Sequence, residues 1–185
     1  MSQSAKTAIG GMATALSVVL LIPTALDVFV YALPAMAGIL VMFCVVELGK
    51  GWSAGVYVAV SLLSLLLVPN KEAAVLYVAF FGYYPIIKAI LESKMSRFIE
   101  YILKFVIFNF SVVIAYVFLV KVFGLPFDEL MGIDGTDSFF SKFAIPVMLV
   151  LGNIVFIVFD IALTRMVTAY LRVWQKKFRK LFPFK

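Results

Sequence analysis

Six long apolar runs constrain this chain more tightly than anything else in it. They cover residues 8–25, 28–46, 52–68, 73–91, 99–120 and 143–163. A bilayer core about 30 Å thick takes roughly 20 helical residues to cross. Each run has about that length, and mostly short polar or turn-forming stretches separate them. Pro23, Thr24 and Asp27 close the first run, and Glu47, Gly49, Lys50 and Gly51 follow the second. Pro69, Asn70, Lys71 and Glu72 follow the third, and residues 92–97 the fourth. Backbone in lipid must satisfy its own hydrogen bonds, which leaves helices or a closed barrel. The runs are continuous rather than alternating, which argues against barrel strands. The expected fold is an all-α integral membrane protein, a single domain over 1–185 built as a bundle of six transmembrane helices.

Composition agrees. Hydrophobic residues make up 64% and charged residues 14% of the chain, against roughly 45–50% and 25% in soluble domains. Mean hydropathy is +1.11. A soluble enzyme, a disordered tail and a disulfide module are all poor fits to such numbers. The first run has only Lys6 before it and no cleavage site followed by a polar mature region, so it is read as a span, not a signal peptide. No internal repeat or linker marks a second domain.

The net charge of +6 becomes a statement about topology. With six spans both termini share one side, and thirteen of the sixteen Lys and Arg fall there, among them Lys6, Lys50, Lys94, Arg97, Arg165 and Arg172. Only Lys71, Lys121 and Lys142 fall on the other. Basic residues collect on the cytoplasmic side, so N- and C-termini are expected to be cytoplasmic, in a multi-pass protein of the cell membrane. Asp27, Glu72, Asp128, Glu129, Asp134 and Asp137 make the outer side acidic. The connection over 121–142 is read as a solvated loop, and its Asp134-Gly135-Thr136-Asp137 lacks the ligand pattern of an EF-hand. The basic, aromatic tail over 170–185 suits the anionic inner leaflet of membrane lipid rather than nucleic acid.

Chemistry is sparse. Histidine is absent, Cys44 stands alone, and no phosphate-binding Walker motif is present. These facts argue against an enzyme and against any metal site, cofactor or catalytic residue. Polar residues inside the spans are costly and need partners. Asn109 and Asn153 lie at similar depth, placed to bond each other or to line one cavity. Asp160 lies near the inner end of the sixth span, with Lys88 and Lys104 at comparable depth as ion-pair partners; Glu47 is read likewise beside Lys50. Asp27, Tyr31 and Pro34 group at the outer end of the second span, where Pro34 is expected to kink the helix or free a carbonyl. Tyr77, Phe80 and Tyr116 lie in the outer halves of the fourth and fifth spans. Such residues suit either an outward pocket or an interfacial aromatic belt. Gly82 and Pro85 predict a break in the fourth helix.

The first helix repeats small residues every fourth position, at Thr7, Gly11 and Ala15. Small side chains let helix backbones approach closely, either within one bundle or against another subunit. The stretch from Lys6-Thr7-Ala8-Ile9-Gly10-Gly11 through Leu20 resembles the first helix of the substrate-binding S subunits of energy-coupling factor (ECF) transporters. Tyr31-Ala32-Leu33-Pro34-Ala35-Met36-Ala37-Gly38-Ile39 is similar to their second-helix pattern. The family's Ala-x-x-x-Ala docking face corresponds to Gly11 and Ala15, with glycine in place of the first alanine. The resemblance implies capture of a vitamin or similar micronutrient from outside, energised by a transmembrane coupling subunit and two ATPase subunits. It further implies a small-molecule site drawing on Asp27, Tyr31, Tyr77, Tyr116 and Asn153. The alternative from the residues alone is a non-enzymatic six-helix scaffold or assembly protein of the bacterial cell envelope.

Overall fold

The computed structural model describes residues 2–27, 29–124 and 138–175. Every regular element among them is helical. Helix α1 spans Gln3–Leu21 and tightens into a 3-10 turn, Ile22–Leu26, at Pro23. It is followed by α2, Ala32–Leu48, and α3, Lys50–Leu67. Then come α4, Lys71–Leu76, a π turn over Tyr77–Phe81, and α5, Tyr84–Lys94, which together form one broken column. The last two are α6, Arg97–Phe123, and α7, Ser138–Ala169, which ends in a second π turn over Tyr170–Trp174.

Five of these helical stretches are long and apolar enough to cross a membrane: Gln3–Leu26, Lys50–Leu67, Lys71–Lys94, Arg97–Phe123 and Leu149–Val173. The sixth, α2, is a shorter apolar helix. Its 17 residues are about 25 Å long at 1.5 Å per residue, near the lower limit for a span. The fold class is therefore all-helical and multi-pass in character. The acidic residues Asp128, Glu129, Asp134 and Asp137 and the tail over 176–185 lie outside the described residues.

Several boundaries differ from expectation for local reasons. Helix α2 starts at Ala32, four residues after the expected edge, because Asp27 and Phe29 adopt left-handed φ of 54° and 57° and hold the chain in a turn. Pro34 falls in the first turn of α2, where the missing N–H removes nothing the helix needs, so the expected kink is absent. The α2–α3 link is Gly49 alone, whose φ of +87° suits a residue without Cβ. Gly124 closes α6 in the same left-handed way, at φ +66°. Helices α6 and α7 run to Phe123 and from Ser138, so the long connection is shorter than the expected 121–142.

Two larger cores hold the bundle, with a small third one of Val75, Ala115 and Leu119 between α4 and α6. One joins α1, α2, α3 and the α4–α5 column through residues such as Leu21, Val41, Val60 and Tyr77. The other is largely aromatic, with Phe80 and Tyr84 meeting Phe108 on α6 and Phe156 and Phe159 on α7. Phe108 and Phe156 stack at 4.7 Å and an interplanar angle of 12°. Much of α6 and α7 presents Ile, Leu and Val outward, including Val113, Val117, Val150 and Val158. A continuous apolar exterior of this kind needs lipid to cover it.

Candidate functional site

Polar chemistry collects at four places, each set by the helix that carries it. The first lies where α5, α6 and α7 converge. Lys88 and Lys104 are 0% and 2% exposed. An ammonium in that position must be paired, since each buried ion loses several kcal/mol of hydration. Lys88 Nζ stands 2.5 Å from Asp160 Oδ1 and 2.7 Å from Glu92 Oε1. Lys104 Nζ reaches Glu100 at 2.6 Å, Glu92 at 3.1 Å and Asp160 Oδ2 at 3.2 Å. The Tyr84 hydroxyl donates to Asp160 Oδ1 at 2.6 Å. The expected partnership of Asp160 with Lys88 and Lys104 is thus present. Glu92, Glu100 and Tyr84 were not anticipated, although the i,i+4 spacings of Lys88 with Glu92 and Glu100 with Lys104 carry a readable signal. Three carboxylates face two ammoniums here, and the arrangement clamps three helices in one register.

Glu47, expected beside Lys50, accepts from Tyr170 at 3.1 Å and Gln175 at 3.3 Å. Lys50 donates to Ser93 at 3.1 Å. These contacts tie the end of α2 to the last helix, and the start of α3 to α5.

The second place is the amide pair. Asn109 Nδ2 donates to Asn153 Oδ1 at 3.0 Å, and Asn153 Nδ2 returns a bond to Asn109 Oδ1 at 3.2 Å. Each amide also donates back one turn, to the carbonyls of Phe105 and Leu149. A reciprocal pair of this kind joins two helices in an apolar medium.

The third is the end of the bundle at the α1–α2 connection. Asn70 Nδ2 donates to Asp27 Oδ1 at 2.9 Å, while its own Oδ1 accepts from Ala73 N and caps α4. The Tyr31 hydroxyl donates to Glu72 Oε1 at 2.8 Å. Two side-chain bonds therefore fasten the first connection to the start of α4.

The fourth is the π turn. Pro85 has no N–H for the Phe81 carbonyl, and the turn shifts Gly82 N–H to the Tyr77 carbonyl at 2.8 Å. That shift takes Gly82 N–H away from Val78, whose carbonyl instead accepts from the Tyr57 hydroxyl at 2.9 Å. Gly38 on α2 lies against the same turn: a Cβ there would stand 2.4 Å from the Phe81 carbonyl oxygen. The expected break at Gly82 and Pro85 is present, as a π turn. The Tyr83 hydroxyl bonds that of Ser111 on α6. The hydroxyls of Ser17 and Tyr77 are buried with no hydrogen-bond partner, while that of Ser61 lies beside the Tyr57 phenol. Each such orphan costs about 1–3 kcal/mol.

The five residues named for a substrate pocket are thus distributed. Asp27 and Tyr31 share the α1–α2 end of the bundle with Asn70 and Glu72. Tyr77 is fully buried in the first core beside Tyr57. Tyr116 is half-buried on α6, and Asn153 is bound to Asn109. The structure brings Asp27 and Tyr31 to one end and does not join them to Asn153.

On α1 the small residues divide between two faces. Gly10, Ala13 and Ser17 turn inward, and a Cβ on Gly10 would lie 3.4 Å from Val56 of α3. Thr7, Gly11 and Ala15 are exposed, and nothing lies within 4 Å of a Cβ built on Gly11. Close contact within this bundle is therefore the work of the inward set, and the repeat at Thr7, Gly11 and Ala15 is left unpartnered. No family model, curated protein or solved structure matches the chain.

Proposed function

We propose that this chain is a membrane-embedded substrate-capture subunit of the energy-coupling factor type, which takes up a vitamin or similar micronutrient. Six spans with cytoplasmic termini in the cell membrane form part of that reading. A separate transmembrane coupling subunit and two ATPase subunits supply the energy, because the chain has no nucleotide-binding motif of its own. The observation that carries the reading is the exposed stripe of Thr7, Gly11 and Ala15 on α1. Small residues on a lipid-facing surface give up apolar contact with lipid, and they regain it when another helix comes close. Their place in the first half of α1 sets the dock near the end that carries Lys6 and Lys50. Buried hydroxyls without partners support a role in binding, and the absence of histidine suits a protein that holds a molecule rather than transforms it.

Affinity purification from native membranes in mild detergent, read by mass spectrometry, tests this. Recovery of one membrane subunit and two ATPases is the expected result. Recovery of envelope-synthesis proteins in their place would overturn it in favour of a scaffold.

A further inference from the structure

The last helix carries unpaired charge on the side that meets lipid. The stretch Leu149–Val173 is long and apolar enough to cross a membrane, and Arg165 lies within it. Phe156, Phe159, Asp160 and Leu163, all buried, mark the inward face of α7. The step from Asp160 to Arg165 turns about 140° round the helix, away from the ionic cluster. Arg165 is exposed, and so is Arg172 on the same face, about 10 Å further along the axis. Neither makes an ion pair or hydrogen bond among the described residues. The carboxylates at this end are already engaged. Glu47 accepts from Tyr170 and Gln175, while Glu92, Glu100 and Asp160 hold Lys88 and Lys104. Residues 176–185 contain no Asp or Glu. An anion for the two guanidiniums therefore comes from outside the bundle.

The same face continues toward the apolar middle of the span through Ile161, Val158 and Ile154, all exposed. Ala162 and Ala169, one turn to either side of Arg165, are also exposed and keep its surroundings free of bulk. An apolar stripe that ends in two guanidiniums matches a phospholipid part for part, chains first and phosphate after. A charge on a lipid-facing surface escapes hydrocarbon by reaching for the headgroups. The guanidinium fork is weakly hydrated and meets phosphate oxygens two at a time. A zwitterionic headgroup brings its own cation to the phosphate, so two arginines favour an anionic one. We propose that the outward face of α7 binds an anionic phospholipid, with its headgroup on Arg165 and Arg172 and its chains along Ile154, Val158 and Ile161. Arg165 lies ahead of the basic tail, and the contact needs no captured substrate.

The test compares three full-length chains: wild type, the double variant Arg165→Gln, Arg172→Gln, and a tail variant with Lys176→Gln, Lys177→Gln, Arg179→Gln and Lys180→Gln. Each is placed in vesicles of mixed phosphatidylglycerol and phosphatidylcholine and extracted in mild detergent. Native mass spectrometry then counts the lipid kept per chain. Wild type is expected to keep phosphatidylglycerol over phosphatidylcholine by about fivefold or more. The arginine variant is expected to lose that preference while remaining folded and monodisperse, and the tail variant to keep more than half of it. Should the double variant fail to fold, Arg165→Gln and Arg172→Gln singly decide, each expected to weaken the preference at least twofold. No preference in wild type, an undiminished one in the arginine variants, or a loss confined to the tail variant would overturn the site. Displacement of the lipid by excess inorganic phosphate would overturn it too, since a soluble anion would then be the ligand.

Discussion

Removing the Asp160 carboxylate would strand two buried ammoniums. Lys88 and Lys104 both lean on it, at 2.5 Å and 3.2 Å. Asp160→Asn is expected to lower stability by about 3–5 kcal/mol. Glu92 serves the same two lysines but is 37% exposed, so water replaces part of what it supplies. Glu92→Gln is expected to cost under about 1 kcal/mol. Denaturant titration of both variants in mild detergent checks the order, and equal losses would contradict it. Glycines separate in the same way. Gly38→Ala forces a Cβ onto the Phe81 carbonyl oxygen and is expected to cost about 1–3 kcal/mol. Gly11→Ala meets open space and is expected to stay within about 0.5 kcal/mol of wild type. Similar losses at the two positions would remove the packing argument.

At the level of helices, the amide pair makes a sharp prediction. A double-mutant cycle with Asn109→Leu and Asn153→Leu is expected to yield a coupling of about 0.6–2 kcal/mol, and additive single effects would contradict the reciprocal bond. This pair was legible from sequence because a polar side chain deep in an apolar run has few places to turn. The same logic brought Asp160 to Lys88 and Lys104. What sequence left hidden depends on neighbours distant in the chain. Pro34 reads as a kink until the turn through Asp27 and Phe29 delays the start of α2. The π turn lies against Gly38 of α2, and that approach is a tertiary contact. Periodicity on α1 revealed the small residues but not which stripe α2 and α3 would cover. The outward pocket was one of two readings of Asp27, Tyr31, Tyr77 and Tyr116, and Asn153, which the resemblance added to it, serves the amide pair.

For the whole molecule, the distribution of Lys and Arg predicts orientation independently of the capture reading. Cys44 is the only cysteine, so Cys44→Ser gives a clean background for Ser2→Cys and Phe29→Cys. Phe29 is 68% exposed at the first connection. A membrane-impermeant maleimide on intact cells is expected to label Phe29→Cys and to spare Ser2→Cys; the opposite pattern would invert the topology. Docking of a coupling subunit is assigned to the exposed face of α1 in the proposed function. The most direct measurement is quantitative recovery of partner subunits by tagged wild type and by the double variant Gly11→Leu, Ala15→Leu, with Tm and size-exclusion profile recorded for each. The expected result is a folded, monodisperse variant that recovers at least tenfold less coupling subunit and ATPase. Undiminished recovery by a folded variant would contradict it.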